Sequence, residues 1–349
     1  MRADGIPVSQ QVIQMKARAA AEEDGLHNFT ASYCWLKGFK QRQRLSLRTR
    51  GAQGQQPPED AQVIVEAFGK TVAEEAARLG VTEVWNADET AVFFELIPRR
   101  TIDTVGTKTV WVRCAGAERR RVSVLLLGSS LGRKKPPFLV FKETPSKVPT
   151  RRQENEATRN GFGARVWHAL KDTCPMERIF ANKAGWLTGP LIVRWLDLMF
   201  HGEPGSKLLL LDEFSGHWTG EVLEKCRELN ITLLGIPAGC TSVSQPADVA
   251  WNRPFKAQMR KLWVERLMDT VKNNRTVEPP SRETVCSWVS TAWEALVTIE
   301  NGFRASRIFV NTDSQVEELS LALSLAEIQG DVQLAACDGE EGGNTTEDE

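Results

Sequence analysis

Four consecutive leucines at positions 208–211, followed at once by Asp212 and Glu213, constrain this chain more than any other stretch. A strand made of them points apolar side chains to both faces, so it belongs inside a sheet that is covered on both sides. Residues 231–236 read as a second buried strand. Between the two, Thr219 is placed to cap a helix whose apolar face is Val222, Leu223, Cys226 and Leu229. Ahead of them, residues 188–200 carry Leu191, Ile192, Trp195, Leu196 and Met199 at helical spacing. Earlier still, residues 81–94, 109–114, 121–127 and 138–141 are rich in β-branched and aromatic side chains, with 128–135 as a turn, and predict an opening β-meander. Strands first, then alternating helix and strand, predict an α/β fold: a mixed sheet flanked by helices.

The flanks are simpler. Residues 32–40 place Trp35, Leu36 and Phe39 on one helical face, with Ser32 as the N-terminal cap. The stretch 51–59 (GAQGQQPPE) has linker composition. A helix over 60–79 follows, closed by Gly80. Residues 251–268 repeat Phe255, Met259, Leu262, Trp263 and Leu267 at helical intervals, with Pro254 tolerable only in a first turn or at a kink. Residues 271–330 read as helical, with Val285, Trp288, Val289, Ala292, Trp293 and Leu296 in that stretch, and order is expected to fade beyond them.

Composition excludes several functions. No apolar run approaches the roughly 20 residues of a membrane span, and the N-terminus lacks a signal pattern, so an intracellular protein without membrane contact is expected. Seven scattered cysteines without a Cys-x-x-Cys pair, and four histidines without ligand spacing, argue against zinc. No organic-cofactor fingerprint is present. The net charge of −1 conceals two opposite runs: six basic residues and no acidic one at 37–50, and six acidic residues and no basic one at 338–349. The first suits phosphates, and the second reads as a solvated tail.

Three aspartates carry the chemistry. Asp88 lies near the end of a strand, Asp212 directly follows the leucine run, and Asp248 precedes a helix. Strand ends of an α/β sheet are where ligand sites form. Clustered carboxylates need a compensating cation, and Mg²⁺ or Mn²⁺ suits a few oxygens on an open surface. Singly, each aspartate is equally an N-cap, a turn former or an edge charge.

The flanking blocks turn this into a resemblance. Asn86-Ala87-Asp88-Glu89-Thr90-Ala91-Val92-Phe93-Phe94 with Pro98-Arg99-Arg100-Thr101, the leucine run with Asp212-Glu213-Phe214-Ser215-Gly216-His217, and Ile236-Pro237-Ala238-Gly239-Cys240-Thr241-Ser242 with Ser244-Gln245-Pro246-Ala247-Asp248 and Pro254-Phe255-Lys256 stand in one order, with 35 residues between Asp212 and Asp248. Over residues 81–265 the chain resembles the DDE superfamily endonucleases of the pogo/Tigger/jerky branch of mariner-related transposases. Ala91 and Glu213 depart from the family pattern, where Gly and Asn are common, without removing a carboxylate. Residues 31–48 resemble the closing part of a centromere-protein-B-type helix-turn-helix domain, so the chain is expected to begin partway through it.

The resemblance implies a ribonuclease-H-like fold and a metal-dependent DNA endonuclease or transposase of the nucleus. Asp88, Asp212 and Asp248 are then the catalytic and metal-binding residues, with Asp88 bridging two ions and each of the others completing one. His217 is a possible auxiliary that orients water or meets the scissile phosphate, or else a packed helix-start residue. Lys37, Lys40, Arg42, Arg44 and Arg48 in the first segment, and Arg253, Lys256 and Arg260 at helical spacing, are candidate DNA contacts or simply solvated faces. The partners implied are DNA and, as a homodimer, a second copy of the chain. The expected division is a helix-turn-helix remnant at 1–50, a linker at 51–59, a catalytic domain at 60–270, a helical extension at 271–330 and an acidic tail at 331–349. The competing expectation is a domesticated or decayed relative that binds DNA without cleaving it; a generic metabolic enzyme fits poorly.

Overall fold

The structure, a computed structural model, describes residues 10–45, 58–95, 116–117, 120–273, 278–297 and 299–308. The strand expected at 109–114, Arg48 and the acidic tail lie outside the described residues. Two compact units divide the chain, Met1–Val63 and Ile64–Glu349.

The first unit holds α1 (Gln10–Glu23) and α2 (Tyr33–Arg42). Ser32 caps α2 as its sequence predicts, its hydroxyl accepting the Trp35 amide at 3.2 Å. Leu36 is buried and Trp35 stacks on Phe39 with ring centroids 5.1 Å apart. Lys37, Arg42 and Arg44 are exposed and Lys40 is half-buried, so most of the basic run at this helix is in contact with solvent.

The helix α3 (Pro58–Leu79) spans the boundary and ends at Gly80, which takes the left-handed conformation (φ 66°) that lets the Val81 amide reach back to Ala76. The chain then runs β1 (Val84–Phe93), β2 (Arg121–Ser129), β3 (Lys134–Lys142), α4 (Pro149–Thr158), α5 (Ala164–Leu170), β4 (Ile179–Asn182), α6 (Gly189–Phe200), β5 (Lys207–Leu211), α7 (Gly220–Glu228), β6 (Ile231–Gly235), α8 (Thr241–Ser244), a π-helical turn (Ala247–Trp251), α9 (Asn252–Lys272), α10 (Arg282–Glu294) and α11 (Ile299–Ala305). No described helix is long and apolar enough to cross a membrane.

Among the described residues six strands form one sheet, in the order β4-β3-β2-β1-β5-β6. β1, β2 and β3 are antiparallel neighbours, whereas β5 runs parallel to β1 and β6 parallel to β5. That is the ribonuclease-H-like mixed sheet the sequence implied, with the four-residue β4 added beyond β3. All four leucines of β5 are fully buried because helices cover both faces. Strand alternation sorts the residues: Val84, Val92, Leu208 and Leu210 pack with α3, α9, α10 and α11 residues, while Trp85, Ala87, Leu209 and Leu211 pack with α6 and α7. Asp88 shares parity with the first set.

Pro254 explains the start of α9. A proline inside a helix cannot donate to the carbonyl four residues back, and its ring crowds that carbonyl. Here the chain enters α9 through the wider π turn, a local feature that often accompanies functional sites. Helix α11 braces this turn. Trp251 Nε1 donates to the Ile299 carbonyl at 3.1 Å. A Cβ on Gly302 would stand 2.7 Å from the Pro246 carbonyl oxygen and 2.8 Å from Trp251 Nε1. Gly302→Ala is therefore expected to cost about 1–3 kcal/mol of overpacking. The check is the urea midpoint, and an unaltered midpoint would show that α11 yields without cost.

Candidate metal and nucleic-acid site

Sheet register brings the first two aspartates together. β1 and β5 pair as Val84 with Leu208, Trp85 with Leu209 and Asn86 with Leu210. Two residues further along the same parallel register, Asp88 falls beside Asp212, on the face that α9 covers. The sequence placed Asp88 near a strand end. It stands instead in the middle of β1, which runs on to Phe93 because its antiparallel pairing with β2 continues after the parallel pairing with β5 has stopped. The pairing of β1 with β5 ends at Asn86 and Leu210, which leaves an opening in the ladder just before the two carboxylates.

Asn86 ties the third segment to that opening. It is fully buried, its Nδ2 donates to the Leu210 carbonyl at 3.0 Å, and its Oδ1 accepts the Ala247 amide at 3.1 Å. One side chain thus links β1, β5 and the turn that carries Asp248. Asn86→Ala leaves a buried carbonyl and a buried amide without partners, each worth roughly 1–3 kcal/mol. A denaturant midpoint close to wild type would refute this role.

Asn252 completes the set. One helical turn after Asp248, its Nδ2 donates to Asp88 Oδ2 at 2.6 Å and to Asp248 Oδ1 at 2.9 Å. Gln245 also lies close enough to help hold charge on Asp88, although its Nε2 makes no well-formed hydrogen bond. Burial and the nearby charges of Asp248 and Asp212 nevertheless push the Asp88 carboxyl up from 3.8 to about 7.

Asp212 behaves oppositely. Burial disfavours its charge, but His217 Nδ1 at 2.8 Å from Oδ1, and the Phe214 amide at 3.2 Å, outweigh burial and hold this carboxyl below its ordinary value. His217 is itself buried, and Trp218 Nε1 donates to the Asp212 carbonyl at 3.1 Å. Thr219 occupies the cap position of α7 without a side-chain capping bond. Glu89, on the opposite face, is pushed up chiefly by burial, and its Oε2 accepts the Leu187 amide at 3.4 Å. Arg253, Lys256 and Arg260 are exposed along α9, downstream of Asp248.

Asp88 and Asp248 are therefore joined by hydrogen bonds through Asn252, and Asp212 stands near enough for its charge to act on Asp88. Among the described residues no three acidic, histidine or cysteine side chains already enclose a space for an ion. The donor chemistry still fits a hard divalent cation: the groups are carboxylate oxygens, and an amide nitrogen between two of them supplies the partial positive charge that a cation would supply in full. Sequence reasoning named the three acids and His217. It missed Asn86, Gln245 and Asn252. The available signals were an asparagine two residues before Asp88, set between the apolar Trp85 and Ala87, and another four residues after Asp248.

A ribonuclease-H-like sheet with aspartates gathered beside its central strands defines the class. The chain belongs to the DDE superfamily endonucleases, whose family model matches residues 119–303. Asp212 and Asp248 fall inside that match, and Asp88 lies upstream of it. The Tc5 transposase DNA-binding domain matches residues 1–49. The human protein called Pogo transposable element with KRAB domain is 27% identical over 336 residues, covering 91% of this chain and 51% of that protein. Human Tigger transposable element-derived protein 7 is 24% identical over 254 residues, covering 71% and 44%. The chain thus spans about half the length of the curated relatives it matches. A chain in the crystal structure of the Mos1 strand transfer complex superimposes with a TM-score of 0.47 at 11% identity, covering 86% of this chain and 76% of that one.

Proposed function

We propose that this protein cleaves and joins DNA strands, using Asp88, Asp212 and Asp248 to hold divalent metal, Mg²⁺ or Mn²⁺. The observation that carries the proposal is the gathering of three acids: Asn252 links Asp88 to Asp248, and Asp212, one residue past the end of β5, stands near enough for its charge to act on Asp88. Bound metal supplies Lewis-acid polarisation of the scissile phosphate and lowers the pKa of an attacking water or 3′-hydroxyl. The protein's own residues set the stage. Asp88, central among the three, is suited to serve two ions at once. His217 fixes the Asp212 carboxylate in one orientation, Asn86 holds the Asp248 turn against the sheet, and Arg253, Lys256 and Arg260 present positive charge to phosphates passing along α9. The Tc5-type segment, with Lys37, Lys40, Arg42, Arg44 and Arg48, contributes further DNA contacts. Action on chromosomal DNA implies the nucleus, and joining of two ends implies a homodimer.

Nicking of supercoiled plasmid with Mg²⁺ or Mn²⁺, comparing wild type with Asp212→Ala, tests the proposal. Wild-type nicking that the variant loses is expected. Equal nicking by both, or by neither, contradicts it. Failure to nick together with salt-sensitive DNA retention by both proteins would instead favour a domesticated, non-catalytic DNA-binding protein.

A further inference from the structure

Asn252 is the most unusual polar residue of the site. Only 8% of it is exposed, both of its hydrogen-bonding carboxylate partners come from other segments or another turn, and its Oδ1 is buried without any hydrogen-bond partner. Leaving a buried carbonyl oxygen unsatisfied costs about 1–3 kcal/mol. That cost is the counterpart of the way the amide is turned. With Oδ1 inward, three oxygens would face one another around a common point with nothing positive between them. With nitrogen inward, the two carboxylates are bridged and Oδ1 is stranded.

We infer that Asn252 has two roles in succession, as a strut between Asp88 and Asp248 in the metal-free protein and as an oxygen ligand of the divalent cation once it is bound. The proposal rests on the metal-binding function proposed above. A half-turn about χ2 exchanges Oδ1 for Nδ2 at nearly the same position, and that torsion is broad and close to two-fold, so the exchange needs little rearrangement. After the exchange Oδ1 has a cation to face, and the amide nitrogen takes the buried position in which Oδ1 has no hydrogen-bond partner. An amide carbonyl is an ordinary donor for hard divalent ions. The ligand set gains a fourth protein oxygen without adding negative charge to a site that already holds three acids.

The test has a sign. If Asn252 were a strut only, its nitrogen would compete with the cation for the two carboxylates, and removing it would tighten metal binding. If Asn252 is a ligand, removing it weakens binding. Full-length protein is titrated with Mn²⁺ at pH 8, and free ion is read by electron paramagnetic resonance, for wild type, Asn252→Ala, Asn252→Asp and Asp88→Asn. Asn252→Ala keeps the best helix-forming side chain at this position, and circular dichroism confirms the fold. We expect Asn252→Ala to bind Mn²⁺ about 10–100-fold more weakly than wild type. Unchanged or tighter binding by this variant overturns the proposal. Asn252→Asp keeps an oxygen at the site and is expected to bind at least as tightly as wild type; weaker binding overturns the proposal equally. Asp88→Asn separates the two levels of argument. Wild-type binding that Asp88→Asn does not diminish, or no wild-type binding at all, removes the metal site and Asn252's role with it. Binding lost in Asp88→Asn but unaffected in Asn252→Ala overturns only the role of Asn252.

Discussion

Replacing Asp88, Asp212 or Asp248 by asparagine is expected to lower metal-dependent strand cleavage by about 10³-fold or more for each single change. The magnitude follows from charge stabilisation worth several kcal/mol that needs all the ligands in place, with about 1.4 kcal/mol corresponding to each tenfold in rate. The three changes should not be additive, because a site missing one ligand has little left for a second loss to remove. A double variant should thus be nearly as active as the poorer single variant. Gel-resolved cleavage of end-labelled DNA under single-turnover conditions measures this. A single variant within tenfold of wild type would remove that residue from the catalytic set. His217→Ala is a milder case, since it frees Asp212 to turn without removing a carboxylate.

The second large effect is on stability, and its sign is unusual for an aspartate. Burial and like charge raise the Asp88 carboxyl to about 7 in the folded protein, against about 3.9 in an unfolded chain. The folded state therefore holds the proton more tightly than the unfolded state. The contribution of Asp88 is most favourable below pH 4, declines as pH rises between about 4 and 7, and stays at its low plateau above that. Asp88→Asn removes the penalty of ionisation. In metal-free buffer the variant should exceed wild type in stability at pH 8 by on the order of 2–4 kcal/mol and by little at pH 4. Urea unfolding with chelator at the two pH values decides the matter; an equal difference at both would contradict the assigned environment of Asp88. Added Mg²⁺ should then raise the midpoint of wild type and leave Asp88→Asn almost unmoved.

Much of the fold was legible because burial leaves a pattern. The leucine run became β5, residues 231–236 became β6 almost to the residue, and the spacing at 188–200 became α6, because each segment has one dominant demand, to hide apolar surface. The short strand β4 escaped notice: Ile179, Phe180 and Ala181 are too few to show a period, and only pairing with β3 makes them a strand. The π turn before α9 was equally hidden, since Pro254 signals a disturbed helix without saying which kind.

The site divides along the same line. Carboxylates beside apolar strands were visible as charges that needed a reason. Asn86 and Asn252 were not, because a neutral amide carries no charge to explain and its role lies in which distant groups it joins. The position of Asp88 in its strand was misjudged for a related reason. The antiparallel partner β2 extends β1 beyond the parallel partner β5, and pairing partners are not written in local sequence.

The central claim is that Asp88, Asp212 and Asp248 hold metal together. Anomalous scattering from crystals of the full-length protein grown with Mn²⁺ addresses it directly. A manganese peak within coordinating distance of carboxylate oxygens from all three residues is the predicted result. Manganese found only elsewhere, or a site from which any one of the three carboxylates is absent, would contradict it.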